Sequence, residues 1–210
     1  MKQLVKGFIK KLISLSLLFF ISYTWAADRY TDHPFYAGLL GGYGDTDWSR
    51  LVSEDELTAE ATPISASGDG FVYGAFVGYQ PFHYFAFELQ YMRFPDADLV
   101  FEPGNAMGIN NTISKTDYTA AIVKVLVPVG EAWRVFGDIG IAYVRREDDI
   151  SDIHNTRPTF GFGADYAFTD HWFSSLSFEY TPGTGEAVVD ASAEYIPYLY
   201  SIQLGIGYRF

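Results

Sequence analysis

At 210 residues the chain has room for one domain with or without a targeting segment. It contains no cysteine, which excludes a disulfide framework, a thiolate metal site and a thiol nucleophile. Its formal charge of -12 opposes binding to nucleic acid or any other polyanion.

Read in chain order, the first element is a targeting segment. Lys2, Lys6, Lys10 and Lys11 precede an apolar run from Leu12 to Tyr23, followed by Thr24-Trp25-Ala26. A basic region, an apolar region and a small-x-small site predict a signal peptide over 1–26 and a mature domain over 27–210. The apolar run falls short of the roughly 20 residues that a spanning helix needs. Removing its four lysines would take the formal charge from -12 to -16.

Eight segments with period-two alternation follow: Phe35–Asp45, Gly70–Gln80, Tyr84–Phe94, Asp117–Pro128, Trp133–Arg145, Pro158–Phe168, Trp172–Thr181 and Tyr198–Phe210. Each is about as long as a tilted strand that crosses a bilayer, which takes about 9–11 residues. Their connections alternate in kind. Gln80-Pro81-Phe82-His83, Pro128-Val129-Gly130-Glu131 and Thr169-Asp170-His171 are tight turns, whereas 46–69, 95–116, 146–157 and 182–197 are long and polar. An even strand count with short turns at one end and long loops at the other predicts an up-and-down meander closed into a barrel.

The two faces of each segment decide between a soluble and a membrane barrel. In the fifth segment Val135, Gly137, Ile139, Ile141 and Tyr143 alternate with Arg134, Phe136, Asp138, Gly140, Ala142 and Val144. In the third, Phe85, Phe87, Leu89 and Tyr91 alternate with Ala86, Glu88, Gln90 and Met92. One set is large and apolar with aromatics near the ends, as for a lipid-facing band between aromatic girdles. The other is small with isolated charges, as for the interior of a narrow barrel. A soluble, lipocalin-like barrel would carry longer polar side chains on its outer face. The final segment fits the same scheme, with Ile202, Leu204, Ile206, Tyr208 and Phe210 on its apolar face and Gln203, Gly205, Gly207 and Arg209 on the other. The expected fold class is all-β: an eight-stranded antiparallel up-and-down transmembrane β-barrel.

Several stretches, in this order and spacing, resemble the eight-stranded transmembrane domain of OmpA-like outer-membrane proteins. They are Gly74-Ala75-Phe76-Val77-Gly78-Tyr79-Gln80, Phe87-Glu88-Leu89-Gln90-Tyr91, Val123-Lys124-Val125-Leu126-Val127-Pro128, the run from Pro158 to Thr169, and Leu204-Gly205-Ile206-Gly207-Tyr208-Arg209-Phe210. The resemblance implies a lumen crossed by ion pairs, with Glu88, Lys124, Asp165 and Glu179 on the family's inward charged positions. Two positions depart from the pattern. Asp138 stands where the family often has an inward arginine, and Ser177 where it has an arginine shortly before the acid at Glu179. By the same resemblance Tyr208 and Phe210 form the signal read by the outer-membrane assembly machinery. No periplasmic peptidoglycan-binding domain is expected, since the chain stops at Phe210.

Glu88, Asp138 and Asp165 are expected on the inward face at similar depth, with Lys124 the natural partner of Glu88 or Asp138. No enzyme, cofactor or metal is expected. His33, His83 and His171 fall at the turn end, away from the outer leaflet, and His154 lies in a long loop. No His/Asp/Glu group has ligand spacing. The loops are acidic: Asp47, Glu54, Asp55, Glu56, Glu60 and Asp69 stand against Arg50 in the first, and Glu186, Asp190 and Glu194 have no cation in the last. Arg93, Arg145 and Arg146 near the loop end are placed to meet lipopolysaccharide phosphates.

The function expected first is a non-enzymatic outer-membrane surface protein of a diderm bacterium, with its turns in the periplasm. A narrow, porin-like channel for ions or small solutes is the alternative, and a lipid-modifying enzyme a third. The partners implied are outer-membrane lipid and lipopolysaccharide, the assembly machinery, and a host or environmental ligand at the loops. Nucleic acid is not among them, and a monomer is expected.

Overall fold

The computed structural model describes residues 33–48, 63–101, 111–148, 152–184 and 195–210. The expected signal peptide over 1–26 and the loop acids Glu54, Asp55, Glu56, Glu60, Glu186, Asp190 and Glu194 lie outside these residues.

Ten strands account for most of the described chain: β1 (Phe35–Asp47), β2 (Pro63–Ser67), β3 (Asp69–Phe82), β4 (Phe85–Arg93), β5 (Ala97–Phe101), β6 (Asn111–Pro128), β7 (Trp133–Glu147), β8 (Asp152–Ala167), β9 (Trp172–Thr181) and β10 (Tyr198–Arg209). Eight of them close into an all-antiparallel barrel in the circular order β1-β3-β4-β6-β7-β8-β9-β10, with β10 returning to β1. All eight predicted segments are present. A closed barrel leaves no unpaired strand edge in the hydrocarbon, which is why such a sheet can cross a bilayer.

The remaining two strands were expected to be loop. β2 and β5 pair with each other, and β5 pairs with the start of β6 between Asn111 and Ser114. They carry the wall upward beyond β3 and β4, and β6 and β8 likewise begin earlier than predicted. The physical reason is that alternation marks a strand only where its two environments differ. At Thr112-Ile113-Ser114-Lys115-Thr116, both faces carry polar residues, so the strand reads as loop. At the other end Pro81 sits inside β3, not in the turn, and the register between β3 and β4 shifts between Tyr79 and Phe82. A bulge is where a strand tolerates a residue without an N–H.

The interior holds the core. Tyr36, Leu40, Val72, Phe76, Met92, Tyr118, Ile122, Leu126, Phe136 and Phe173 are buried there. Four of the inward aromatics are paired across the sheet with an inward glycine: Tyr36 with Gly78, Phe76 with Gly38, Phe136 with Gly163 and Phe173 with Gly207. A Cβ on any of these glycines would collide with its partner's ring. Ring on glycine therefore allows a narrow barrel to hold large side chains. The outer face is ringed at the turn end by Phe35, Tyr79, Phe82, Trp133, Phe168, Trp172 and Phe210, all exposed, as expected of an interfacial girdle.

Candidate functional site

Alternation places the even-numbered residues of β1, β3, β4, β6 and β7 and the odd-numbered ones of β8, β9 and β10 inside, among them Glu88, Lys124, Arg134, Asp138, Asp165, Glu179 and Arg209. The lumen fills in layers from the turn end upward.

The lowest layer joins β3, β7, β8 and β10. Arg134 Nε and Nη2 donate to Asp165 Oδ2 at 2.8 and 2.7 Å. Its Nη1 donates to Gln80 Oε1 at 2.7 Å, and the same oxygen accepts from Arg209 Nη1 at 3.2 Å. The Arg209 guanidinium also lies over the rings of Phe173 and Tyr36, at 4.8 and 5.1 Å from their centroids. Arg134, Asp165, Gln80 and Arg209 are all buried. Two cations, one acid and an amide oxygen thus close the turn end.

In the middle layer Lys124 Nζ pairs with Glu88 Oε2 at 2.8 Å, and the Tyr36 hydroxyl donates to the same oxygen at 3.0 Å. The ammonium also lies 4.7 Å from the Phe136 ring centroid, a cation–π distance. Asp138 is the direct cross-strand neighbour of Lys124, yet the lysine reaches diagonally to β4 instead. Asp138 lies against Gly161, its cross-strand neighbour on β8, and neither of its oxygens has a hydrogen-bond partner among the described residues. Of the two partners expected for Lys124, it takes Glu88.

Above them Glu179 accepts a hydrogen bond from the Tyr118 hydroxyl. Gln90 Nε2 lies 3.2 Å from the Tyr118 oxygen, 3.3 Å from Glu179 Oε2 and 3.2 Å from Gln203 Oε1. Glu179 therefore sits among neutral donors. Ser177, at the position where an arginine was the expected pattern, is buried beside this layer and brings no charge. The space left between these layers is a cavity of about 10 Å³, lined among others by Leu40, Glu88, Lys124, Asp165, Ser175 and Glu179. One water needs about that much room.

The five lumen residues expected from the sequence thus divide among three layers. Glu88 and Lys124 meet, Asp165 goes to Arg134, Glu179 to Tyr118 and Gln90, and Asp138 stands apart. Gln80, Gln90, Gln203, Tyr36 and Tyr118 were missed as members. Their signal was there: a glutamine or tyrosine at an inward position of its strand.

A fourth layer stands at the loop end. Arg146 Nε and Nη2 donate to Asp148 Oδ2 at 2.9 and 2.6 Å, and Nη1 donates to the Tyr195 carbonyl. Its guanidinium lies 5.4 Å from the Trp48 ring, which packs on Tyr195. Arg146 was expected to meet lipopolysaccharide. It is 2% exposed and points into the mouth instead, because it is one residue on from the outward Arg145. Arg145 is exposed and bridges Asp152 and Glu147 at 2.9 and 3.2 Å. Its hydrogen bonds hold the Asp152 carboxyl below the usual carboxylate range. His154, expected in a loop, lies on β8 with its ring 5.4 Å from that of Tyr143.

An acidic recess of about 600 Å³ at the same end is lined by Tyr43, Asp45, Asp47, Trp48, Ser67 and Asp69. Burial, with Asp47 and Asp69 close by, raises the Asp45 carboxyl above its ordinary value. At the opposite end the Tyr208 ring stacks on His171 at 5.3 Å and meets Phe210 edge-on at 5.4 Å. The Phe210 N–H donates to the Phe35 carbonyl at 2.9 Å, so both residues of the expected assembly signal lie outside the barrel at the β1–β10 seam.

Residues 12–210 match the family model described as outer membrane protein beta-barrel domain. Outer membrane protein A of Serratia marcescens is 28% identical over 195 residues, covering 87% of this chain and 46% of that protein. The chain therefore spans about half the length of that relative. Among solved structures, Neisserial surface protein A superposes with a TM-score of 0.57 at 16% identity, over 84% of this chain and 97% of that one. The outer membrane protein OprG of Pseudomonas aeruginosa does so with a TM-score of 0.53 at 12% identity, over 87% and 100%. At such identities the likeness is one of fold.

Proposed function

This chain belongs to the outer membrane protein beta-barrel family, whose members reside in the bacterial outer membrane, and from that premise we propose that it is a closed, non-enzymatic surface barrel. Its lumen is a structural filling, its turn end faces the periplasm, and its acidic loop end meets the environment or a host ligand. The observation that carries this reading is the cavity of about 10 Å³ between the charged layers, which leaves no room for an ion and its hydration shell. The buried Arg146–Asp148 pair beneath Trp48 and Tyr195 supports it at the mouth. The non-enzymatic part is supported by His154, whose ring lies on the outer face against Tyr143 beside an Asp152 already engaged by Arg145.

Conductance across a planar lipid bilayer separates this reading from a narrow channel. Refolded protein is expected to give no discrete current steps. Regular steps with ion selectivity would establish the channel instead and overturn the plug.

Tyr208 and Phe210 serve assembly in this proposal. Phe210 is 62% exposed and its ring meets Tyr208 edge-on on the outer face, so replacing it removes little packing. Phe210→Ser is expected to lower outer-membrane levels severalfold while the refolded protein unfolds at nearly the wild-type urea concentration. Normal membrane levels of the variant would refute the assembly role.

A further inference from the structure

Two histidines meet at the turn end, beside the seam where β10 closes on β1. The His33 and His171 rings lie 4.3 Å apart, centre to centre, with their planes tilted by 43°. His33 stands two residues before β1 and His171 directly before β9, and β10 runs between those two strands. No spacing in the sequence joins the pair; the closure of the barrel does.

The backbone holds both residues in place. The Pro34 carbonyl, next to His33, accepts from the Gln80 N–H at 2.7 Å, and the His171 carbonyl accepts from the Arg209 N–H at 2.8 Å. The His171 ring stacks on Tyr208 with a tilt of only 11°, and its Nδ1 lies 3.0 Å from the Arg209 carbonyl oxygen. A carbonyl oxygen can only accept, so Nδ1 carries the proton and the lone pair of the neutral ring is on Nε2. A metal-ligating imidazole has this arrangement: its other nitrogen donates to a backbone carbonyl, which fixes the tautomer and the ring orientation.

Imidazole nitrogen selects copper, zinc or nickel over calcium and magnesium, which prefer oxygen. Two imidazoles on one such ion, with metal–nitrogen bonds of about 2.0–2.1 Å, set their ring centres about 4.5–5 Å apart. The observed pair is one small side-chain rotation from that spacing. Among the described residues no third histidine, aspartate or glutamate joins the two, so water completes the shell and the ion exchanges.

We propose that His33 and His171 form an exchangeable site for one divalent transition-metal ion of the copper and zinc class. The ion links the chain before β1 to the β8–β9 turn across the foot of β10. The site needs neither the plugged lumen nor the orientation proposed above.

Untagged protein refolded in detergent micelles and titrated with CuCl₂ tests the site, by calorimetry for stoichiometry and by pulsed electron paramagnetic resonance for the number of imidazoles on the ion. Wild-type protein is expected to bind one Cu²⁺ through two imidazoles. His33→Gln and His171→Gln should each weaken binding by about tenfold or more, since even the loss of an outer partner of a ligand costs that much, and each should leave a one-imidazole spectrum. His83→Gln and His154→Gln should keep affinity and spectrum. Heat-modifiable gel migration checks folding, and His33→Gln alone carries the test where His171→Gln does not fold. No saturable ion, a single imidazole in the wild type, or unchanged binding in His33→Gln would overturn the proposal and leave the pair as a ring contact only. Conductance is read in a separate experiment, so failure of the metal site leaves the plugged-barrel reading standing, and the reverse.

Discussion

Replacing Arg134 with methionine is expected to lower the stability of the folded barrel by about 3–5 kcal/mol, the cost of leaving a buried charge without its partner. Arg134 and Asp165 are both nearly inaccessible, at 4% and 3% exposure, and the guanidinium makes two hydrogen bonds to one carboxylate oxygen. Methionine follows the stem of the arginine but leaves Asp165 uncompensated and takes a donor from Gln80. The double variant Arg134→Met/Asp165→Leu should recover much of the loss, because a buried pair exchanged for apolar groups is often nearly neutral. Urea unfolding in lipid vesicles, followed by tryptophan fluorescence, measures both. An unchanged midpoint for Arg134→Met would mean that the turn-end layer does not hold the barrel.

Lys124→Met is expected to cost about 3 kcal/mol, at the low end of the same range, because Glu88 keeps the hydroxyl of Tyr36. It also loses the contact of the ammonium with the Phe136 face, which in a dry site adds to the pair. Glu88→Leu in the same chain should restore most of the stability. The alternative is that Asp138, directly across from Lys124 on β7, is the acid that counts. In that case Asp138→Leu, not Glu88→Leu, would rescue Lys124→Met. That outcome would sink the assignment of the middle layer.

Which residues face inward was legible in the sequence because a strand has a period of two, and lipid and lumen ask for different side chains at alternate positions. Glu88 and Asp138 could be put inside on that ground alone. The period also explains the error at Arg146, which was grouped with Arg145 by proximity in sequence although neighbours on a strand face opposite ways. The strands above the bilayer were illegible for a related reason. Between Asn111 and Thr116, and again between Asp152 and Arg157, neither face meets lipid, and the contrast that reveals a strand is gone.

The sequence by itself determined the eight strands of the barrel wall, their two faces and their aromatic ends, all of which depend on residues within one strand and its immediate turn. Tertiary structure alone decided which charges meet. Arg134 and Gln80 are 54 positions apart and Gln80 and Arg209 are 129 apart, so their convergence depends on closing the barrel between β1 and β10. The choice of Glu88 over Asp138 depends on the stagger of β4 against β6 and on a direction of reach that no cross-strand pairing by itself dictates. A hydrogen-bonded ion pair needs donor and acceptor in direct contact, and a shift of one strand by two residues would keep every face and change every partner.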